Sequence, residues 1–147
     1  MSMSLLIECF EERYRLGVPQ MDDTHREFVT IINRLGVSAK AVFIPRFGEL
    51  VRHTELHFAA EDALMQASAF PAMQEHMDEH RRVLGDLQRL LRRVEAGATR
   101  MGRAYVTEQL PDWFRVHVAT MDSALAAHLG RGTSAMPSAE TAPGKIA

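Results

Sequence analysis

The chain has 147 residues, 17 Lys+Arg against 19 Asp+Glu for a formal net charge of -2, 46% hydrophobic residues and one cysteine, the profile of one soluble globular domain. Near-neutral charge without a Lys/Arg cluster argues against a nucleic-acid footprint, no apolar stretch approaches the roughly 20 residues of a membrane span, and Cys9 has no partner for an internal disulfide. A chain of this length buries about 68–70% of its unfolded surface, enough for a core without covalent staples. The run Leu5-Leu6-Ile7 is cut by Glu8 and lacks the length and basic flank of a signal peptide, so a reducing cytoplasm is the expected compartment.

The segment before Asp22 carries Phe10, Tyr14 and Leu16 in no clear period and is expected to lie across the rest as an arm. Four stretches then follow with the 3.6-residue period of amphipathic helices. In the first, Asp22 or Asp23 can cap a helix with His25, Phe28/Val29, Ile32 and Leu35 inward and Gly36 near its end. The second is expected to start near Pro45, with Phe47, Leu50/Val51, Thr54, His57/Phe58, Glu61 and Leu64/Met65 on one face. It must stop before Phe70-Pro71, because a proline pushes the residue before it out of the helical region. Pro71 suits the first turn of a third helix, whose stripe is Met73, His76/Met77, His80, Val83/Leu84, Leu87, Leu90/Leu91 and Val94, closed by Gly97. The fourth runs from about Arg100 or Met101 to Leu129, with Tyr105, Leu110, Trp113/Phe114, His117/Val118, Met121/Asp122 and Leu125 inward. Pro111 inside it predicts a kink or a break.

Four helices with short connections imply an all-α, antiparallel up-down-up-down four-helix bundle over residues 1–130, with the N-terminal arm included. Residues 131–147 are rich in Thr, Ser, Pro, Gly and Ala and cannot pack a core, so a flexible tail is expected there.

The anomaly is on the inner faces. His25, His57, Glu61, His76, His80, His117 and Asp122 all fall on or beside the apolar stripe of their own helix. His57 and Glu61 are i,i+4, as are His76 and His80, so each pair shares one helix face. One histidine on an apolar face is ordinarily a hydrogen-bonded core residue, and Glu61 or Asp122 alone has an equally plain reading. Seven together, with no Lys or Arg on those faces to pair with them, need compensating charge, and a metal supplies it.

Seven ligands exceed the four of a structural zinc site, and His76-Met-Asp-Glu-His80 lacks the Glu directly after the first His that helical zinc proteases use. Oxygen-only calcium or magnesium sites do not employ five imidazoles, whereas imidazole with carboxylate suits iron, and two irons sharing bridging carboxylates is the natural arrangement. The ferritin-like di-iron alternative requires Glu-x-x-His on two helices, and no Glu stands three residues before any His here. His117 and Asp122 are i,i+5, about 140° apart on an ideal helix against about 40° for an i,i+4 pair. Both reach one cluster only by flanking its centre or through a π-type turn between them. His53 and His128 are expected in ordinary roles, and Cys9 and the methionines in packing.

These residues carry a resemblance. From Gly17 to Leu129 the chain resembles the single-domain bacterial hemerythrins: Asp22-x-x-His25, His57-Phe58-x-x-Glu61, Phe70-Pro71 before His76-x-x-x-His80, then Trp113-Phe114-x-x-His117 and Asp122. The resemblance implies that His76, His80 and His117 hold one iron and His25 and His57 the other. Glu61 and Asp122 would bridge them together with an oxo or hydroxo group. It also implies an open position for dioxygen at the second iron, in a pocket formed by Trp113, Phe114 and Val118. Phe114 and Val118 stand where relatives usually carry Leu and Ile, and the arm lacks the Trp common in bacterial members. The implied function is reversible dioxygen binding for storage, delivery or sensing. The alternative is a di-iron enzyme, such as a peroxidase or an oxygen or nitric oxide reductase, served by an electron-donating reductase. A site rich in His and poor in carboxylate offers little anionic charge to high-valent iron, and no second redox group is visible, so carriage is favoured over catalysis.

Overall fold

The computed structural model describes residues 5–135. The described residues form helices and connecting turns, with no strand among them. A short helix, α1 (Phe10–Arg13), is followed by α2 (Pro19–Gly36), α3 (Lys40–Ala67) and α4 (Met73–Glu95). One unbroken helical run then comprises α5 (Thr99–Ala104), a π-helical turn (Tyr105–Gln109), α6 (Leu110–His117), a second π-helical turn (Val118–Asp122) and α7 (Ser123–Ala135).

The helices alternate in direction. His25 early in α2 meets Glu61 late in α3, Asp62 late in α3 meets His80 early in α4, and Val94 late in α4 meets Gly102 early in the last run while His76 early in α4 meets His117 further along it. This is the antiparallel four-helix bundle that the short connections require. Its core is continuous: Phe28, Ile32 and Leu35 of α2, Phe43, Phe47 and Leu50 of α3, Leu87 and Val94 of α4, and Val106, Leu110 and Phe114 of the last run are all buried. At the end away from the histidines the backbones come close. A Cβ on Gly102 would lie 2.5 Å from Val94 Cγ2 and 3.2 Å from Phe43 Cε2, so only glycine fits.

The boundaries differ from the sequence expectation in instructive ways. Asp22 and Asp23 do not cap α2, which begins at Pro19 after Val18. The buried Asp22 carboxylate instead accepts the backbone N–H groups of Leu16 and Gly17 at 2.7 and 3.0 Å, holding the turn that leads into the helix. Helix α3 starts five residues before Pro45, at Lys40. Proline loses an internal hydrogen bond there, but Phe43 and Phe47 on either side are both fully buried and reward the longer helix. Pro71 lies in the turn just before α4, and not within its first turn.

Helix α3 ends as expected before Phe70-Pro71, through a left-handed Ala69 (φ 53°) whose neighbour Phe70 donates its N–H to Met65 O at 3.0 Å. Gly97 (φ 113°) closes α4 in the same manner, with Ala98 N–H donating to Arg93 O at 2.9 Å. Pro111 does not break the last run. The π turn directly before it, with Leu110 N–H bonded to Tyr105 O, widens the helix where proline would otherwise crowd the preceding turn. Helix α7 extends to Ala135, past the expected bundle end at residue 130, so residues 131–135 are helical where a tail was expected. The remainder of that tail, residues 136–147, lies outside the described residues.

The N-terminal arm does lie across the bundle. Ile7 and Asn33 pair twice, Ile7 N–H to Asn33 Oδ1 and Asn33 Nδ2 to Ile7 O, both at 3.0 Å. Arg115 donates to Leu6 O, and the buried Tyr14 meets the Phe114 ring edge-on at 5.5 Å. No helix among the described residues is long and apolar enough to cross a membrane.

Candidate metal centre

All seven residues singled out by their place on the apolar stripes converge in the bundle interior, and none exposes more than 5% of its surface. The two carboxylates divide them into two sets. Glu61 turns Oε2 to His25 Nε2 (3.0 Å) and His57 Nε2 (2.8 Å), and Oε1 to His80 Nε2 (3.1 Å) and His76 Nε2 (3.6 Å). Asp122 turns Oδ2 to His25 Nε2 (3.1 Å), and Oδ1 to His76 and His117 Nε2 (3.1 Å each). Donor atoms of Glu61, His76, His80, His117 and Asp122 lie within 4.8 Å of one another, as do those of His25, His57 and Glu61.

Asp122 reaches this centre because the turn Val118–Asp122 is π-helical. On an ideal α-helix it would point about 140° away from His117. The extra residue in the widened turn brings both side chains to the same side.

Burial disfavours a charge on His25, but hydrogen bonds to Asp122 and Glu61 outweigh it and raise the imidazole to about 10. His76 is raised to about 9 by the same balance. Burial likewise acts to raise Glu61, yet the imidazoles around it, His57 foremost, hold it well below the usual carboxylate range. Asp122 is lowered despite its burial and the nearby Glu61 charge, by the imidazoles of His117, His25 and His76 that face it.

The donor set fits a cation. His76 and His117 approach Nε2 to Nε2 at 3.2 Å, and Glu61 Oε1, His80 Nε2 and Asp122 Oδ1 are buried without a hydrogen-bond partner. Neither carboxylate is paired with Lys or Arg among the described residues. A bound cation would satisfy these atoms together.

Of the three expected pocket residues, Phe114 and Trp113 touch imidazoles of the centre. Phe114, buried and stacked on Phe28 at 5.3 Å, presents its ring at 90° to His25 at 5.7 Å. Trp113 stacks on His117 at 4.5 Å with planes 19° apart and donates its indole N–H to Glu79 Oε2 at 2.7 Å. Glu79 is itself lowered to about 2, foremost by its hydrogen bond with Arg82, which outweighs the opposing effect of burial and is aided by the Trp113 hydrogen bond. Val118 is buried beside His117 in sequence.

Sequence reasoning missed Asp62, Glu79 and the contact made by Phe28. Asp62 accepts the Nδ1 proton of His80 at 2.9 Å, and Phe58 lies flat on that imidazole, 4.0 Å away and 3° from parallel. Phe58 and Asp62 are i,i+4, so one face of α3 carries both; that spacing was the available signal. His128 hydrogen-bonds Ser68 O at 2.8 Å, and His53 packs against Phe28 and His57, the ordinary roles expected of both.

Fold and site together define an antiparallel helical bundle with a buried imidazole and carboxylate centre fitted for cations. The model of the family described as "Hemerythrin HHE cation binding domain" matches residues 16–129. A bacteriohemerythrin of Ralstonia nicotianae is 37% identical over 122 residues, spanning 83% of this chain and 88% of the relative. A bacteriohemerythrin of Stenotrophomonas maltophilia is 26% identical over 137 residues, spanning 88% and 87%. Crystal structures of two hemerythrin variants share the fold, with TM-scores of 0.74 and 0.73 at 19% and 20% identity, each over 86% of this chain and 98% of the other. The chain belongs to the hemerythrin family of cation-binding domains, and its buried His, Glu and Asp cluster is one that could hold a metal ion.

Proposed function

We propose that the seven buried residues hold two irons and that the protein binds dioxygen reversibly, acting as a carrier, store or sensor and not as an enzyme. The observation that carries this reading is the division of each carboxylate: one oxygen of Glu61 and one of Asp122 face His25 and His57, the others face His76, His80 and His117. That is the donor pattern of two bridged metal positions, and the His and carboxylate mixture suits iron. Two ferrous ions held by these residues would supply the redox chemistry that reversible dioxygen binding needs.

The chain's own residues explain why one side would be open. Three imidazoles and two carboxylate oxygens serve one position, whereas two imidazoles and two carboxylate oxygens serve the other. Phe114 and Phe28 wall the His25 side with apolar surface, and Tyr14 covers Phe114 from outside. Trp113 holds the plane of His117, and Val118 is buried in the same core. Such a wall keeps water and protons away from the open side and so favours release of unchanged dioxygen. The bacteriohemerythrin names of the relatives point the same way.

The test is to load the protein with iron, reduce it, and cycle it between air and argon while following its visible absorption. Recovery of the colourless form over several cycles supports the reading. Continuous oxygen consumption with an added electron donor, far above spontaneous oxidation, would replace it with that of an enzyme.

A further inference from the structure

The imidazoles of the centre are not held alike. Nδ1 of His25, His57 and His76 is buried without a hydrogen-bond partner, whereas Nδ1 of His80 meets Asp62 Oδ1 at 2.9 Å. A carboxylate accepts here, so Nδ1 of His80 carries a proton, and in the neutral ring the free lone pair is then at Nε2. The stacked Phe58 ring and the Asp62 contact together hold the imidazole with Nε2 turned to the centre. The consequence appears at the other end of the ring. His80 Nε2 lies 3.1 Å from Glu61 Oε1, yet neither atom has a hydrogen bond and both are buried. Two facing acceptors repel in a buried site unless a cation lies between them and their neighbours. On the other side, His25 and His57 both hydrogen-bond Glu61 Oε2, so protons can satisfy that half.

We propose that Asp62 is a positioning residue that locks His80 in the Nδ1–H form and thereby makes the His76, His80 and His117 half the tighter of the two metal positions. Carboxylates that orient a ligating histidine also raise its basicity, and their loss costs roughly 10–100-fold in metal affinity. Asp62 does this from the rim of the centre: its side chain is 27% exposed, while that of His80 is 3% exposed. The proposal rests on the two-metal reading above.

Two measurements on the full chain test it. In metal-free protein, ¹⁵N NMR of the ring nitrogens should report His80 as the Nδ1–H tautomer. Asp62→Ala should yield a mixture of tautomers, and Asp62→Asn, whose amide oxygen still accepts, should retain the wild-type form. In cobalt(II) titrations against a competing chelator, the wild-type protein should take up a tight first equivalent and a weaker second. Asp62→Ala should weaken the first roughly 10–100-fold and leave the second little changed, with Asp62→Asn in between. An unaltered His80 tautomer in Asp62→Ala, or equal loss at both equivalents, overturns the role of Asp62. Wild-type protein that binds fewer than two metals overturns the two-metal reading instead, and the tautomer measurement still stands by itself.

Discussion

Phe114 joins the core to the metal centre, so shortening it separates packing from chemistry. Its ring is 1% exposed, stacks on Phe28 and meets Tyr14 and His25 edge-on, which makes it one of the most contacted side chains in the bundle. Phe114→Ala therefore loses both the transfer of a phenyl group and the contacts of its three ring neighbours, and leaves a cavity among rigid aromatic rings. Large aromatic truncations of this kind cost about 3–5 kcal/mol. A loss of about 4 kcal/mol lowers Tm by roughly 8–16 °C in a chain of this size. Denaturant titration of the metal-free variant measures the packing contribution with no metal involved. If Phe114 also walls the dioxygen side, the cavity admits water next to His25, and the iron-loaded, reduced variant should convert in air to its unresponsive oxidised form faster than wild type. Phe114→Leu, which refills most of the space, should restore much of both properties. A loss below about 1.5 kcal/mol would refute the packing argument, because it falls in the range of volume-conserving swaps. A full stability loss with an unchanged oxidation rate would remove Phe114 from the pocket and leave it as core alone.

Three further outcomes are expected. His25 and His76 stand at about 10 and about 9 against an ordinary 6.5, so their proton-linked stabilisation is complete below about 6.5 and is lost as pH rises towards 9–10. Thermal melts of the metal-free protein should show Tm falling across that window while the metal-loaded protein stays nearly level, and a metal-free Tm that rises there contradicts the assignment. Elemental analysis should give two irons per chain for wild type and for His53→Ala, and clearly fewer for Glu61→Ala and Asp122→Ala; equal metal loss in all three variants would show that the carboxylates do not bridge. Asp22→Ala strands the backbone N–H groups of Leu16 and Gly17 and should cost about 1–3 kcal/mol in urea denaturation, with iron content unchanged.

Much of the centre was legible before any coordinates. The 3.6-residue period fixes which way a helical side chain points, so seven polar residues on apolar stripes announced a buried site, and the five-residue step from His117 to Asp122 left a choice between flanking reach and a widened turn, of which the widened turn is present. Ends of helices were less legible, because they are decided by competition between local signals and distant burial. Pro45 reads as a start, but the buried Phe43 carries α3 back to Lys40, and the glycine and serine after Leu129 read as a stop that α7 passes through to Ala135.

The sequence alone determined the four amphipathic faces and the residues on them, since both follow from spacing along one chain. Only the tertiary structure decided the register between helices, and with it which oxygen of Glu61 faces which imidazole, that Asp62 reaches His80 and that Glu79 holds Trp113. Asp62 and His80 lie 18 residues apart and Glu79 and Trp113 34, and the two carboxylates sit on half-exposed flanks, where hydrophobic periodicity carries no signal. Contacts of that kind depend on how one helix slides along another, which the packing of the whole core sets and no local pattern encodes.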